Sequence, residues 1–169
     1  MILEVHEFAD FYKPYINKSI HYNSIIEGLL DSEKEIISFF ENMPADKLEY
    51  RYAEGKWTPK DLILHLIDAE RIFTYRALRI ARNDKTELPG FEENDYVIEA
   101  EANKRTLTDL IHEFKTVRKS TVSLYESFND EQLKRVGVAS NYSVSVRALA
   151  YMTIGHYLHH MQIINERYL

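Results

Sequence analysis

Between Lys60 and Arg82 the chain contains no helix breaker, and apolar residues recur there at helical spacing. Thr58 is a good N-cap, Pro59 suits the first helical position, and Asp61 stands where a capping-box acid belongs. The pattern predicts one long helix running to about Arg82 and ending near Asn83. At about 100° per residue, Leu62, His65, Ala69, Ile72 and Arg76 fall on one stripe, with His65 in the middle of the inward face. So long an amphipathic helix needs others to cover it. Composition agrees: five Gly and four Pro in 169 residues are too few for an all-β chain rich in turns.

Three further long helices can be read. The first runs from about Glu27 to Asn42, with Leu29, Leu30, Ile36, Ile37, Phe39 and Phe40 on its apolar face. The third spans about Leu107 to Phe128, capped by Thr106 or Thr108, with Leu110, Phe114, Val117, Leu124 and Phe128 inward. The fourth begins near Ser143 or Ser145 and runs almost to Leu169. Residues 1 to 23 read as an ordered N-terminal arm that packs its aromatics on the body. Asn129–Leu133 reads as a short capped turn, Gly137 and Asn141 mark a loop, and no strand signal stands out. The expectation is a single all-α domain over 1–169, a four-helix bundle. From Asp84 to about Arg105 the pattern lapses, with Asn94 as cap of a short helix through Ala102. A connection this long suggests a crossover along the bundle. Its residues Phe91, Asp95 and Tyr96 are candidates for the mouth of a site.

The segment Gly155–Met161 carries three histidines within a buried-helix pattern. His156 and His160 are four apart, so their side chains stack on one helix face and can point at one metal ion. Two ligands hold a metal poorly, and His65 is the natural third. Three imidazoles buried without partners are costly, and a shared metal satisfies all of them. Three His ligands leave a coordination position open, as in catalytic rather than structural sites. Imidazole suits zinc or nickel, with iron or manganese as alternatives. His159 lies to one side of His156 and is a candidate acid–base residue. Asp61 and Asp68 flank His65, as carboxylates that could orient its ring or extend the outer shell of a metal, and Asp68, Glu70 and His159 are the candidates near the ligands for handling a proton. His112 points away from its helix's inward stripe, and His6 and His21 lack partners at ligand spacing.

Net charge is −6, which argues against nucleic acid as a partner. No apolar run approaches a membrane span, and the first residues lack the pattern of a signal peptide. A cytoplasmic protein acting on a small molecule is the expectation. With no cysteine, disulfides, thiolate metal sites and cysteine nucleophiles are excluded, so any metal is held by His and carboxylates.

Lys56-Trp57-Thr58, Leu64-His65-Leu66-Ile67-Asp68-Ala69-Glu70-Arg71 and Gly155-His156-Tyr157-Leu158-His159-His160 together resemble the DinB/YfiT-like superfamily over nearly the whole chain. The resemblance implies a four-helix bundle with a long crossover between the second and third helices, often a homodimer. It also implies a divalent metal on His65, His156 and His160. Asn83 stands where close relatives often have Gly, and both residues tolerate a left-handed helix end. For chemistry, the resemblance implies a thiol S-transferase acting on small electrophiles with a low-molecular-weight thiol cosubstrate. A metal-dependent hydrolase and a non-enzymatic metal-binding stress-response protein are the alternatives. In the transferase a metal stabilises the cosubstrate thiolate. In the hydrolase a base is needed beside a metal-activated water.

Overall fold

The computed structural model describes residues 3–169; the first two residues of the N-terminal arm lie outside it. Two 3₁₀ turns, Val5–Glu7 and Asp10–Tyr12, lead into α1 (Lys13–Ser19). Then come α2 (Ile25–Glu41), α3 (Pro59–Ala81), α4 (Glu93–Ala100), α5 (Leu107–Glu126) and α6 (Asp130–Lys134). The hairpin strands β1 (Val136–Ala139) and β2 (Tyr142–Ser145) precede the last helix, α7 (Val146–Arg167). The long helices α2, α3, α5 and α7 form a four-helix bundle.

Local chemistry sets the helix starts. Thr58 and Asp61 form the capping box of α3, with Pro59 in its first turn. Ser24 caps α2 by accepting from Glu27 N, so the helix starts at Ile25, two residues before the expected Glu27. Thr106 caps α5, and Ser145 caps α7. The short helix α4 starts one residue before Asn94, after Glu92, without a side-chain cap bond. Asn83 has φ 63°, the left-handed end anticipated after α3.

The packing order is unusual. α2 contacts α5 and α7, and α3 contacts the same two, so chain neighbours α2 and α3 stand diagonally. Glu70 meets Arg118 and Thr74 meets Thr121, so α3 and α5 run parallel. The segment between them must therefore return along the bundle, which is the work of the long crossover. α7 is antiparallel to α3: Tyr168 bonds Trp57 O near one end, and Tyr157 bonds Leu66 O nearer the middle.

A buried polar network locks this arrangement. Arg118, fully buried, donates from Nε and Nη2 to Glu70 at 2.8 and 3.0 Å, and from Nη1 to Leu29 O and Ser32 Oγ. Tyr157 Oη reaches Glu70 Oε2 at 2.5 Å. One ion pair thus ties α2, α3, α5 and α7. The N-terminal arm is held by a second buried pair, Arg147 with Glu7, 2.6 Å from Nε to Oε1.

The strands correct the all-helical expectation for residues 136–145. Val136 pairs with Ser145 and Ala139 with Tyr142. Ser140 and Asn141 both have positive φ, as a two-residue hairpin turn requires. Four residues per strand are too few for alternation to show in the sequence.

Candidate metal centre

The antiparallel packing of α3 on α7 brings His65 against His156 and His160. Nε2 of His156 lies 3.2 Å from Nε2 of His65 and 3.0 Å from Nε2 of His160. All three offer ring nitrogens within 4.8 Å of one another, the one such group among the described residues. His65 and His156 are buried, and His160 is partly so. Hydrogen bonds alone do not account for the cluster. A single ring nitrogen has one in-plane direction for a proton or a lone pair, yet His156 Nε2 faces two partners. The spacings sit close to the roughly 3.3 Å edge of a tetrahedron around a metal with bonds of about 2.0–2.1 Å.

Electrostatics keeps the rings neutral. Burial lowers the pKa of His65 to about 4 and that of His160 to about 3. His156 falls well below its ordinary value, first by burial and then by the neighbouring His160, His65 and His159. Neutral imidazole is the form that ligates metal. His160 Nδ1 is buried and meets no partner, so this nitrogen gains nothing from the protein in return for its burial. The donor set and its spacing fit a divalent transition metal.

The nitrogens open on a cavity of about 250 Å³ lined by aromatic side chains, with Glu93 and Asn94 as the polar additions. Trp57 packs 4.9 Å from His65 between ring centroids, and Phe73 lies 6.1 Å from His156. Tyr15, carried by α1, presents its ring edge-on to both His156 and His159, at 5.3 and 5.2 Å. Burial, then Glu93, raises the Tyr15 pKa, so its hydroxyl keeps its proton.

Other candidates stand elsewhere. Phe91 does line the cavity, but Asp95 and Tyr96 are exposed and do not. Glu93 and Asn94, at the start of α4 and themselves exposed, line the cavity instead. Asp61 is buried in the α3 cap, bonded by Thr58 N and Asn103 and paired with Arg51. Asp68 pairs with Arg71 at 3.3 Å and is raised by burial. Neither bonds a histidine ring. His159 packs on Tyr15 and on His160 but is not among the cavity-lining residues; burial, then Lys18, lowers its pKa. His112 is exposed. Sequence reasoning missed Glu93, Tyr15 and Trp57 as wall residues. Glu93 lies in an acidic run whose cavity-lining member depends on where α4 begins, and Tyr15 in an arm without periodicity.

No curated protein matches the sequence. Among solved structures, the fold is similar to YfiT from Bacillus subtilis, described as a probable metal-dependent hydrolase with an unusual four-helix bundle topology. That match has a TM-score of 0.72 and 15% identity over 98% of this chain and 90% of that one. A DinB-like protein from Bacillus subtilis, YjoA, matches with a TM-score of 0.59 and 24% identity over 85% of this chain and 88% of that one. At these identities the likeness is one of fold. The family model of the DinB superfamily matches residues 29–164, and the chain belongs to that superfamily.

Proposed function

We propose that the chain is a metal-dependent hydrolase of small molecules, with His65, His156 and His160 holding a divalent metal, zinc or nickel by ligand chemistry. The observation that carries this reading is the convergence of three neutral ring nitrogens beside a cavity with one carboxylate on its wall, Glu93. When bound, the metal supplies a Lewis acid with an open position. Glu93 accepts the proton of the attacking water. Tyr15, protonated and at the wall, donates a hydrogen bond to the substrate oxygen that gains charge. Trp57, Phe73 and Phe91 exclude bulk water and seat an apolar substrate body. Proton handling thus passes to Glu93 from His159 and Asp68, which stand outside the cavity. The description of YfiT as a probable metal-dependent hydrolase supports the reading.

The second reading is a thiol-dependent S-transferase. The aromatic wall suits an apolar electrophile, and a chain without cysteine takes its thiol from a low-molecular-weight cosubstrate. Zinc- or nickel-reconstituted protein, assayed on small aryl esters and amides and in parallel for conjugation of a thiol to an aryl halide, separates the two. Metal-dependent hydrolysis that Glu93→Gln lowers by about 10²-fold or more supports hydrolysis. Conjugation that needs the metal and ignores Glu93→Gln supports transfer.

A further inference from the structure

Three arginines are buried in this fold, and one lacks a counterion. Arg118 is gripped by Glu70, and Arg147 by Glu7. Arg76, only 3% exposed, makes no ion pair among the described residues. Its Nη2 donates to Pro89 O at 2.8 Å and to Ser140 Oγ at 2.9 Å, and Nε and Nη1 find no acceptor among the described residues. Those two nitrogens are not sealed from solvent, so a ligand can reach them, and an anion there would offset the desolvation cost that the largely buried guanidinium carries.

Arg76 shares the α3 stripe of His65 and Ala69, eleven residues beyond the first. That puts the two Cα atoms about 16 Å apart along the helix. Side chains lean toward the helix N-terminus, so the guanidinium leans toward the histidine end of α3; Arg76 is not itself among the cavity-lining residues but stands beside them. Its central carbon lies 5.9 Å from the centroid of Phe73, a wall residue. The loop that gives Pro89 O to Arg76 gives Phe91 to the same cavity. The nearest groups able to carry negative charge are Tyr12 and Glu93, and neither bonds it.

We infer that Arg76 receives an anionic group, a carboxylate or a phosphate, of an elongated substrate whose reacting end lies at the three histidines. Nη2 spends its hydrogens on Pro89 and Ser140, so such a group is met by a charge-assisted N–H of Nη1 or of Nε, one edge at a time. The hairpin turn at Ser140 and the loop at Pro89 hold the fork by its third nitrogen, fixing its plane. The inference rests on the cavity being a substrate site. It narrows the substrate class to amphipathic acids, with an apolar body against Phe73 and Phe91.

The test compares 4-phenylbutyrate with its uncharged amide, by calorimetry, on zinc-loaded and on chelator-treated full-length protein. The acid binds the wild type roughly tenfold tighter than the amide in both forms. Arg76→Gln removes that preference, whereas Lys119→Gln, which removes an exposed cation on α5 and leaves this guanidinium untouched, retains it. In the wild type the Arg76 Nε–H resonance shifts with the acid and not with the amide, a readout that needs no variant to fold. Equal binding of acid and amide, no binding of the acid, or a preference that survives Arg76→Gln would overturn the inference. A preference lost on chelation but kept in Arg76→Gln assigns the carboxylate to the metal instead. A preference unchanged in a protein that takes up no metal would leave Arg76 as the anion site and remove the hydrolase reading alone.

Discussion

Gly155 lies so close to Tyr15 that a Cβ built on it would come 1.9 Å from the Tyr15 carbonyl oxygen. The clash would be with backbone, which a side-chain rotation cannot relieve. The absence of a side chain at this one position lets α1 settle on α7, and that contact sets the Tyr15 ring over His156. The glycine beside the first histidine of α7 is therefore part of the site's wall by what it lacks.

Gly155→Ala is expected to push α1 outward. The loss of stability should be about 1–3 kcal/mol, typical of overpacking, although Ala is the better helix former. Urea denaturation measures the loss, and amide exchange should quicken in α1 before it does in α3 or α5. Unchanged stability would mean that α1 does not approach this closely.

Glu70→Gln should destabilise the chain by about 3–5 kcal/mol, because Arg118 would stay buried with its charge uncompensated. The double variant Glu70→Leu with Arg118→Met should be markedly more stable than the single one. Denaturation midpoints of the pair decide whether the network acts as a unit. A single variant no weaker than the double would show that Arg118 finds another counterion.

Acid should weaken the metal-free protein well before carboxylates titrate. An unfolded histidine has a pKa of about 6.5, whereas His65 is lowered to about 4 and His160 to about 3 in the fold. Between those values the unfolded chain binds more protons. The stability the neutral rings contribute is therefore complete above about pH 6.5 and drains away as pH falls toward 4. Thermal melts of chelator-treated protein should be level from pH 8 to 7 and fall steeply by pH 5. His65→Ala combined with His160→Ala should flatten that fall. A melt unchanged between pH 7 and 5 would place the rings in a more hydrated setting than the one described.

Thr58→Ala should cost about 1 kcal/mol by leaving the Asp61 amide without its acceptor. The effect should reach the site, since Trp57 precedes the cap and packs on His65. Indole fluorescence would report a loosened Trp57 alongside the lower midpoint. A change in stability with no change in the indole signal would separate the cap from the cavity wall.

How much of this was legible in the sequence depends on whether the signal was local. Thr58, Pro59 and Asp61 announce α3 by chemistry within one turn, and the i, i+4 pair His156 and His160 follows from helix period alone. His65 could be paired with them because it lay mid-stripe on another inward face. Gly137 and Asn141 mark only a loop in the sequence, because a hairpin with four-residue strands leaves almost no alternation to see. Glu93 and Tyr15 were illegible for a different reason. Their roles come from how α4 and α1 dock on α3 and α7, which is tertiary contact that no short window encodes. Arg76 was placed on the stripe of His65, but its missing counterion is visible only once every carboxylate has been located.

The central claim is that His65, His156 and His160 share one metal. The most direct measurement is elemental analysis of protein purified without a metal-affinity tag, beside His65→Ala, His156→Ala, His160→Ala and, as control, His112→Ala. The account predicts close to one divalent transition metal per chain in the wild type and in His112→Ala, with a sharp loss in each of the other three variants. Full metal retained by all three ligand variants, or no uptake by the wild type after incubation with zinc or nickel, would contradict it.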